Sequence, residues 1–282
     1  MLTYSFTHIG KKTNNEDAYR LGSNLYVVCD GVGGANRGEV ASSSISDYLV
    51  SNYDQPINAA SEIKEAIINS VLDLNQIIHK NPEYDGTATT VAGIFCNPEL
   101  GIFSFHIGDS RIFLVRPTKK IFWHTWDHSM VAELVKNGDI TRDEGRSHPM
   151  NNRIYKALKN SEKENIPDPE IKLISDIKPG DRLLICSDGV LEAFTDHEII
   201  ELLTRKDISL HDLGKQVEEI CKAESIDNNT AIILEVEKGD FKINNTEALE
   251  WETLKSLSMD NKGRSITPSV KGWFRSLLSN KN

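Results

Sequence analysis

Residues 87–126 read TATTVAGIFCNPELGIFSFHIGDSRIFLVRPTKKIFWHTW. Four runs rich in β-branched and aromatic residues, TATTVAGIFC, GIFSFHI, RIFLVR and KIFWHTW, are separated by Asn-Pro, Gly-Asp and Pro-Thr. That punctuation predicts an antiparallel meander, and sequential hairpins need no crossover helices. Upstream, Leu2 to Asp30 reads as two short strands around a polar loop, and NRGEVASSSISDYLVSNY opens a helix. A longer helix follows, because Ile63, Ala66, Ile67, Val71, Leu74 and Ile78 recur at three- and four-residue intervals and make one apolar stripe. Downstream, IKLIS, RLLICS and TAIILEVE resume the sheet with two helices between the last two. One of those helices begins at Thr195-Asp196, with Glu198 at capping-box spacing. Strands, then helices, then strands predict an α+β domain with layered sheets rather than a strictly alternating parallel one.

The segment from Ser129 to Pro169 breaks this pattern. MVAELVKNG predicts a short helix closed by Gly138, and the polar, interrupted stretch over about 138–169 reads as a mobile flap. After residue 239 the composition shifts again. Residues 240–282 carry seven Lys or Arg against five Asp or Glu, in a chain whose net charge is -10. Val270, Trp273, Phe274, Leu277 and Leu278 stand at helical spacing beside Lys271, Arg275 and Lys281, a short basic amphipathic segment suited to a partner, to its own catalytic domain or to an anionic membrane surface.

The chain of 282 residues is 39% hydrophobic and 26% charged, ordinary for a globular protein with a substantial core. Its acidity excludes a general nucleic-acid binder, since phosphate backbones select basic surfaces. Cys29, Cys96, Cys186 and Cys221 show no CxxC or zinc spacing and read as buried and reduced. No secretory start and no run of about 18 apolar residues is present, so the expected location is the cytoplasm.

Four aspartates end apolar runs: YVVCDGVGG at Asp30, FHIGDSR at Asp109, LLICSDGV at Asp188 and SIDNNTAIILEV at Asp227. A carboxylate that stops a β-rich run sits at a strand tip, where a polar rim meets a packed core. Converging carboxylates about 4 Å apart repel by roughly 4 kcal/mol per pair at an effective dielectric of about 20, so such a cluster needs cations. All-oxygen ligation favours Mg²⁺ or Mn²⁺ over zinc.

In order, TNNEDAY, VVCDGVGG, ATTVAGIF, HIGDSRIFLV, WDHSMVAELVKNGDIT, SHP, LLICSDGV and DNNTAIILEV resemble the successive motifs of the metal-dependent serine/threonine protein phosphatases of type 2C, the PPM family, in its bacterial form. The match covers roughly residues 1–239, with residues 240–282 as a separate tail. The resemblance implies an α/β/β/α four-layer sandwich, two packed antiparallel sheets flanked by helices. It implies two core ions, manganese or magnesium: Asp30 bridges both, the Gly31 carbonyl binds one, and Asp188 and Asp227 bind the other. Asp109, with Asp188, matches positions that hold a third, weaker metal in bacterial relatives. Glu16 and Asp17 fall where the family holds metal-bound waters. The implied activity is hydrolysis of phosphoserine and phosphothreonine by activated water without a covalent intermediate. Its implied partners are phosphorylated proteins, including a serine/threonine kinase or its targets.

Three positions depart from the family pattern. Lys12 stands where an arginine usually grips the substrate phosphate, and a lysine binds as a point charge without the planar fork. Val32 replaces a histidine proposed as general acid in many eukaryotic members, and Ala88 replaces a glycine before the Thr-Thr pair. Leaving-group protonation then falls to bound water or another residue, with His148 in the flap as a candidate. The alternative function is a weakly active or inactive pseudophosphatase acting as an interaction or regulatory module. An aspartyl-nucleophile phosphatase would need Asp-x-Asp, but Val28 and Cys186 occupy the nucleophile positions. GVGGANRG lacks the Lys-Ser/Thr of a P-loop.

Overall fold

The central strands are apolar on both faces, and the architecture follows from that. The computed structural model describes residues 1–32, 37–243 and 246–259; the basic amphipathic segment expected around 270–278 lies outside them. In one sheet the spatial order is β1 (Leu2–His8), β12 (Asn229–Glu235), β11 (Arg182–Cys186), β7 (Arg111–Arg116), β8 (Ile121–His124) and β13 (Glu252–Thr253). In the other it is β10 (Glu170–Ile174), β6 (Gly101–Ile107), β5 (Val91–Asn97), β3 (Leu25–Val32), β4 (Ala88–Thr89) and β9 (Leu158–Lys159), with β2 (Asp17–Leu21) also paired to β3. Every described pairing is antiparallel.

Alternation along each strand sorts side chains between layers. Tyr26, Val28, Ala92, Ile94, Ile112, Leu114, Ile185 and Ile232 meet between the sheets. Leu25, Val27 and Cys29 face the other way, onto α1 (Gly38–Tyr53) and α2 (Ala60–Lys80). Phe113, Val115, Leu184 and Ile233 pack under α5 (Asp188–Ala193), α6 (Asp196–Leu203) and α7 (Leu210–Glu224). The result is helices, sheet, sheet and helices, the four-layer sandwich expected. All four cysteines are free and buried.

Three expectations change. The run from Thr87 to Trp126 is not one meander but two hairpins on different sheets: β5 and β6 belong to one, β7 and β8 to the other. Gly108, at φ +103°, turns the chain across from sheet to sheet, so the Gly-Asp signal marks a crossing rather than a hairpin. Periodicity cannot separate the two cases, since both strands are buried on both faces. The N-terminal region holds three strands instead of two, and three helices instead of two lie between β11 and β12. Thr195 and Glu198 do form the capping box of α6. The expected helix α3 (Met130–Lys136) precedes the flap, and the flap itself holds α4 (Arg142–Arg146), capped reciprocally by Thr141 and Glu144.

Residues 240–259, read as the start of a separate tail, lie against the sandwich. Phe241, Ile243, Leu249 and Trp251 join the layer between the sheets, and β13 pairs with β8. Trp251 stacks on the guanidinium of Arg116 at 4.6 Å while its Nε1 donates to Asp176. Helix α8 (Leu254–Met259) then buries Leu257 against the helical layer. Among the described residues no helix is long and apolar enough to cross a membrane.

Truncation tests this placement. Ending the chain after Glu237 should leave it about 5 kcal/mol less stable than ending it after Met259, the cost of stripping out two or three large buried side chains. Equal Tm values for the two truncations would show that residues 240–259 add nothing to the fold.

Candidate active site

The β2–β3 register places Asp17 directly opposite Asp30. Gly31 is held by its N–H, which donates to the Glu16 carbonyl at 3.0 Å, and it packs so tightly on Gly38 that an added Cβ would lie 2.5 Å from the Gly38 backbone. Asp30 is fixed from the other side: its N–H donates to Thr90 Oγ1, and its carbonyl accepts from Thr90 N–H and Thr89 Oγ1. Thr90 Oγ1 also bonds Ser110 Oγ at 2.7 Å, which ties Asp30 to the turn bearing Asp109. Asp188 opens α5 immediately after β11, and Asp227 precedes β12. Strand tips from both sheets therefore deliver Asp17, Asp30, Asp109, Asp188 and Asp227 to one rim, near enough that their charges help to raise Asp17, Asp30, Asp109 and Asp188.

Burial and that mutual repulsion act in the same direction. Burial, then Asp17, Asp188 and Asp109, raises Asp30 well above the usual carboxylate range. Burial chiefly, then Asp188, does the same to Asp109. Asp188 is pushed up to about 6 by burial and by Asp227. Asp17 is pushed up to about 7 by burial, although hydrogen bonds from Ser187 and Thr230 favour its ionised form. Burial and Glu39 raise Glu16. Lys12 Nζ donates to Asp227 Oδ2 at 2.8 Å, which raises the lysine, and its charge also reaches Asp188 and Glu192. The oxygen-only donor set fits a hard divalent cation. So do the buried Asp17 Oδ1 and Glu39 Oε2, which have no hydrogen-bond partner among the described residues.

Several supporting residues escape sequence reading. Ser187 Oγ accepts from Thr230 N–H and donates to Asp17 Oδ2 at 2.7 Å. Asn228 accepts from Glu16 N–H and donates to the carbonyls of Ile9 and Asn14, so one side chain shapes the loop that carries Lys12 and Glu16. Glu192 receives the N–H groups of Ile226 and Asp227. Ser187 and Asn228 adjoin a quoted motif aspartate and Glu192 lies one helical turn after Asp188, but only tertiary contact assigns their roles. His148 accepts from Met150 N–H in a local flap turn, and Val32 pairs with Ala88 at the end of β3.

His106, His128 and Glu170 form a second cluster. The two imidazoles stack at 4.6 Å with planes 14° apart, so their in-plane lone pairs run side by side instead of converging on one ion. Gly108 N–H donates to His128 Nδ1, and His128 N–H returns a bond to the Gly108 carbonyl. Tyr155 N–H in the flap donates to the His128 carbonyl. His128 thus clamps the sheet crossing before Asp109 and joins it to the flap.

The family model "Protein phosphatase 2C" matches residues 6–231. The chain is 32% identical over 247 residues to the protein phosphatase PhpP of Streptococcus pneumoniae, covering 83% of this chain and 97% of that one. Among solved structures, the serine/threonine phosphatase Stp1 of Staphylococcus aureus superposes with a TM-score of 0.72 at 31% identity, covering 83% of this chain and 94% of that one. The catalytic domain of the phosphatase PstP, in complex with two manganese ions, gives 0.72 at 26% identity over 84% and 98%.

Asp17 and Asp188, near 7 and 6, stand above the reference aspartate value of 3.8, so the folded chain binds more protons than the unfolded one between those limits. Their contribution to stability is complete at low pH and is lost as pH rises through 6 and 7. In chelator the Tm should therefore fall between about pH 5.5 and 8, less steeply in Asp188→Asn, and Mn²⁺ should reverse the fall. A chelated protein whose Tm climbs over that range would contradict the electrostatic account.

Proposed function

The chain belongs to the protein phosphatase 2C family, whose members are metal-dependent, and is a phosphoprotein phosphatase; on that premise we propose that it hydrolyses phosphoserine and phosphothreonine in proteins by direct attack of water. The observation that carries this reading is the gathering of five aspartates from both sheets at one rim, with Lys12 beside them. Asp30, the Gly31 carbonyl, Asp188 and Asp227 would hold two core ions, and Asp109 with Asp188 a third. Bound Mn²⁺ or Mg²⁺ supplies a nucleophile at neutral pH and neutralises the phosphoryl oxygens.

The protein groups do the rest. Asp17, fixed through Oδ2 by Ser187, turns Oδ1 to the attacking water and takes its proton. Glu16, held by Asn228 at its own N–H, orients a second water at the rim. Lys12 carries a positive charge at the mouth of the site and binds a phosphoryl oxygen as a single donor. Water attacks in line, the bond from phosphorus to the serine or threonine oxygen breaks, and that oxygen receives a proton from solvent because Val32 has none to give. The expected substrates include a serine/threonine kinase or its targets, and the basic segment after Pro268 is read as docking a partner or a membrane surface.

The direct test is phosphate release from a phosphothreonine peptide, titrated with Mn²⁺ and Mg²⁺ against chelator. Asp30→Asn or Asp188→Asn should lower kcat by more than about 100-fold, beyond the roughly 10- to 100-fold typical of losing a residue that only hydrogen-bonds a metal ligand. Turnover that survives either change would refute the site. Lys12→Ala should raise KM about tenfold, the loss of one charge-assisted bond, and Lys12→Arg should restore it; an unchanged KM in the alanine variant would make Lys12 a bystander.

A further inference from the structure

We propose that the cleft at the base of the flap is a subsite for an acidic side chain of the phosphoprotein substrate, three or four residues from the phosphorylated one. The inference rests on the phosphatase reading and adds a specificity that the carboxylate rim does not itself contain. The cleft has a volume of about 320 Å³ and is walled by Ile154, Tyr155, Lys156, Lys159, Asn165 and Pro167. Lys156 and Lys159 both line it, and like most lysines of the chain they make no ion pair among the described residues. Tyr155 offers a ring that is 52% exposed and is steadied by its phenol, which donates to Glu133 at 2.7 Å.

Two connections fix the cleft beside the catalytic rim. The first is the sheet: Leu158 of β9 pairs with Thr89 of β4, and Thr89 pairs with Gly31 of β3. Two strand spacings of about 4.8 Å set the flap strand roughly 10 Å from Gly31, and an extended peptide rising about 3.3 Å per residue crosses that distance in three residues. The second is His128. Tyr155 N–H bonds its carbonyl, the charge of Lys156 bears on its ring, and its Nδ1 holds the Gly108 peptide next to Asp109.

Charge then selects the occupant. In the metal-loaded site the ions would take up the charge of Glu16, Asp17, Asp30, Asp109, Asp188 and Asp227 and Lys12 would face the phosphoryl group, so the rim keeps no cation for a second carboxylate. The unpaired lysines within one peptide reach offer the opposite sign. Because exposed pairs are screened by solvent, the expected gain is modest, on the order of three- to tenfold in KM.

The experiment uses the full chain loaded with Mn²⁺ and a set of phosphothreonine peptides in which a single Glu is moved from five residues before to five residues after the phosphothreonine in an alanine background. Glu three or four residues away should lower KM three- to tenfold with kcat unchanged. The double variant Lys156→Ala/Lys159→Ala should abolish that preference while leaving p-nitrophenyl phosphate hydrolysis and the alanine-background peptide unaffected. Lys156→Glu/Lys159→Glu should transfer the preference to a lysine at the same position. A flat scan, or a preference that survives the double alanine variant, overturns the subsite and leaves the phosphatase reading intact. Absence of hydrolysis of every peptide and of p-nitrophenyl phosphate overturns both.

Discussion

The constraint on which this structure depends is the repulsion among carboxylates that the fold itself brings together. Asp17, Asp30, Asp109 and Asp188 come from strand ends on both sheets and raise one another's affinity for protons. At separations near 4 Å such pairs oppose folding by roughly 4 kcal/mol each when ionised at an effective dielectric of about 20. No local adjustment removes that cost, because the backbone at Asp30 is fixed by Thr89 and Thr90 and the Gly31–Gly38 contact leaves no space to retreat. Protons, Lys12 and bound cations are the available counterweights. A site that destabilises the protein that carries it needs a large core elsewhere, and the three apolar layers supply one.

Beyond the rim, ion pairs hold the flap and the C-terminal segment to the same frame. Arg142 of α4 donates to Asp196 and Glu252 and lies 4.9 Å over the ring of Trp126, so one guanidinium joins flap, helix α6 and strand β13. Arg111 takes Asp127 and the other oxygen of Asp196, and burial that would lower its pKa is outweighed by those two carboxylates. Arg146 caps the end of α5 through the carbonyls of Glu192 and Phe194. The helix that begins at Asp188 is therefore gripped by the flap at its far end.

Much of the architecture was legible because its signals are local. The stripe from Ile63 to Ile78 is α2, and the Thr195–Glu198 pair caps α6. The aspartate tips were visible because a charge that ends a β-branched run has few other places to go. The sheet crossing at Gly108 was not legible: strands buried on both faces read as continuous apolar runs, and a Gly-Asp turn looks alike whether the chain folds back or crosses over. The same limit hid Ser187, Asn228 and Glu192, whose side-chain partners described above lie 34 to 219 residues away in the chain. Residues 240–259 misled through composition, since their apolar residues are few but each finds a place between or beneath the sheets.

The layer between the two sheets has one more consequence. Asp30 rides on one sheet and Asp188 and Asp227 on the other, so their spacing is not a property of any loop but of how Val28, Ala92 and Ile94 seat against Ile112, Ile185 and Ile232. A methyl group added or removed there slides one half of the site past the other, and close-packed interiors pass such strain on rather than absorbing it. The residues between the sheets therefore set the spacing of the aspartates as directly as the strand tips that carry them.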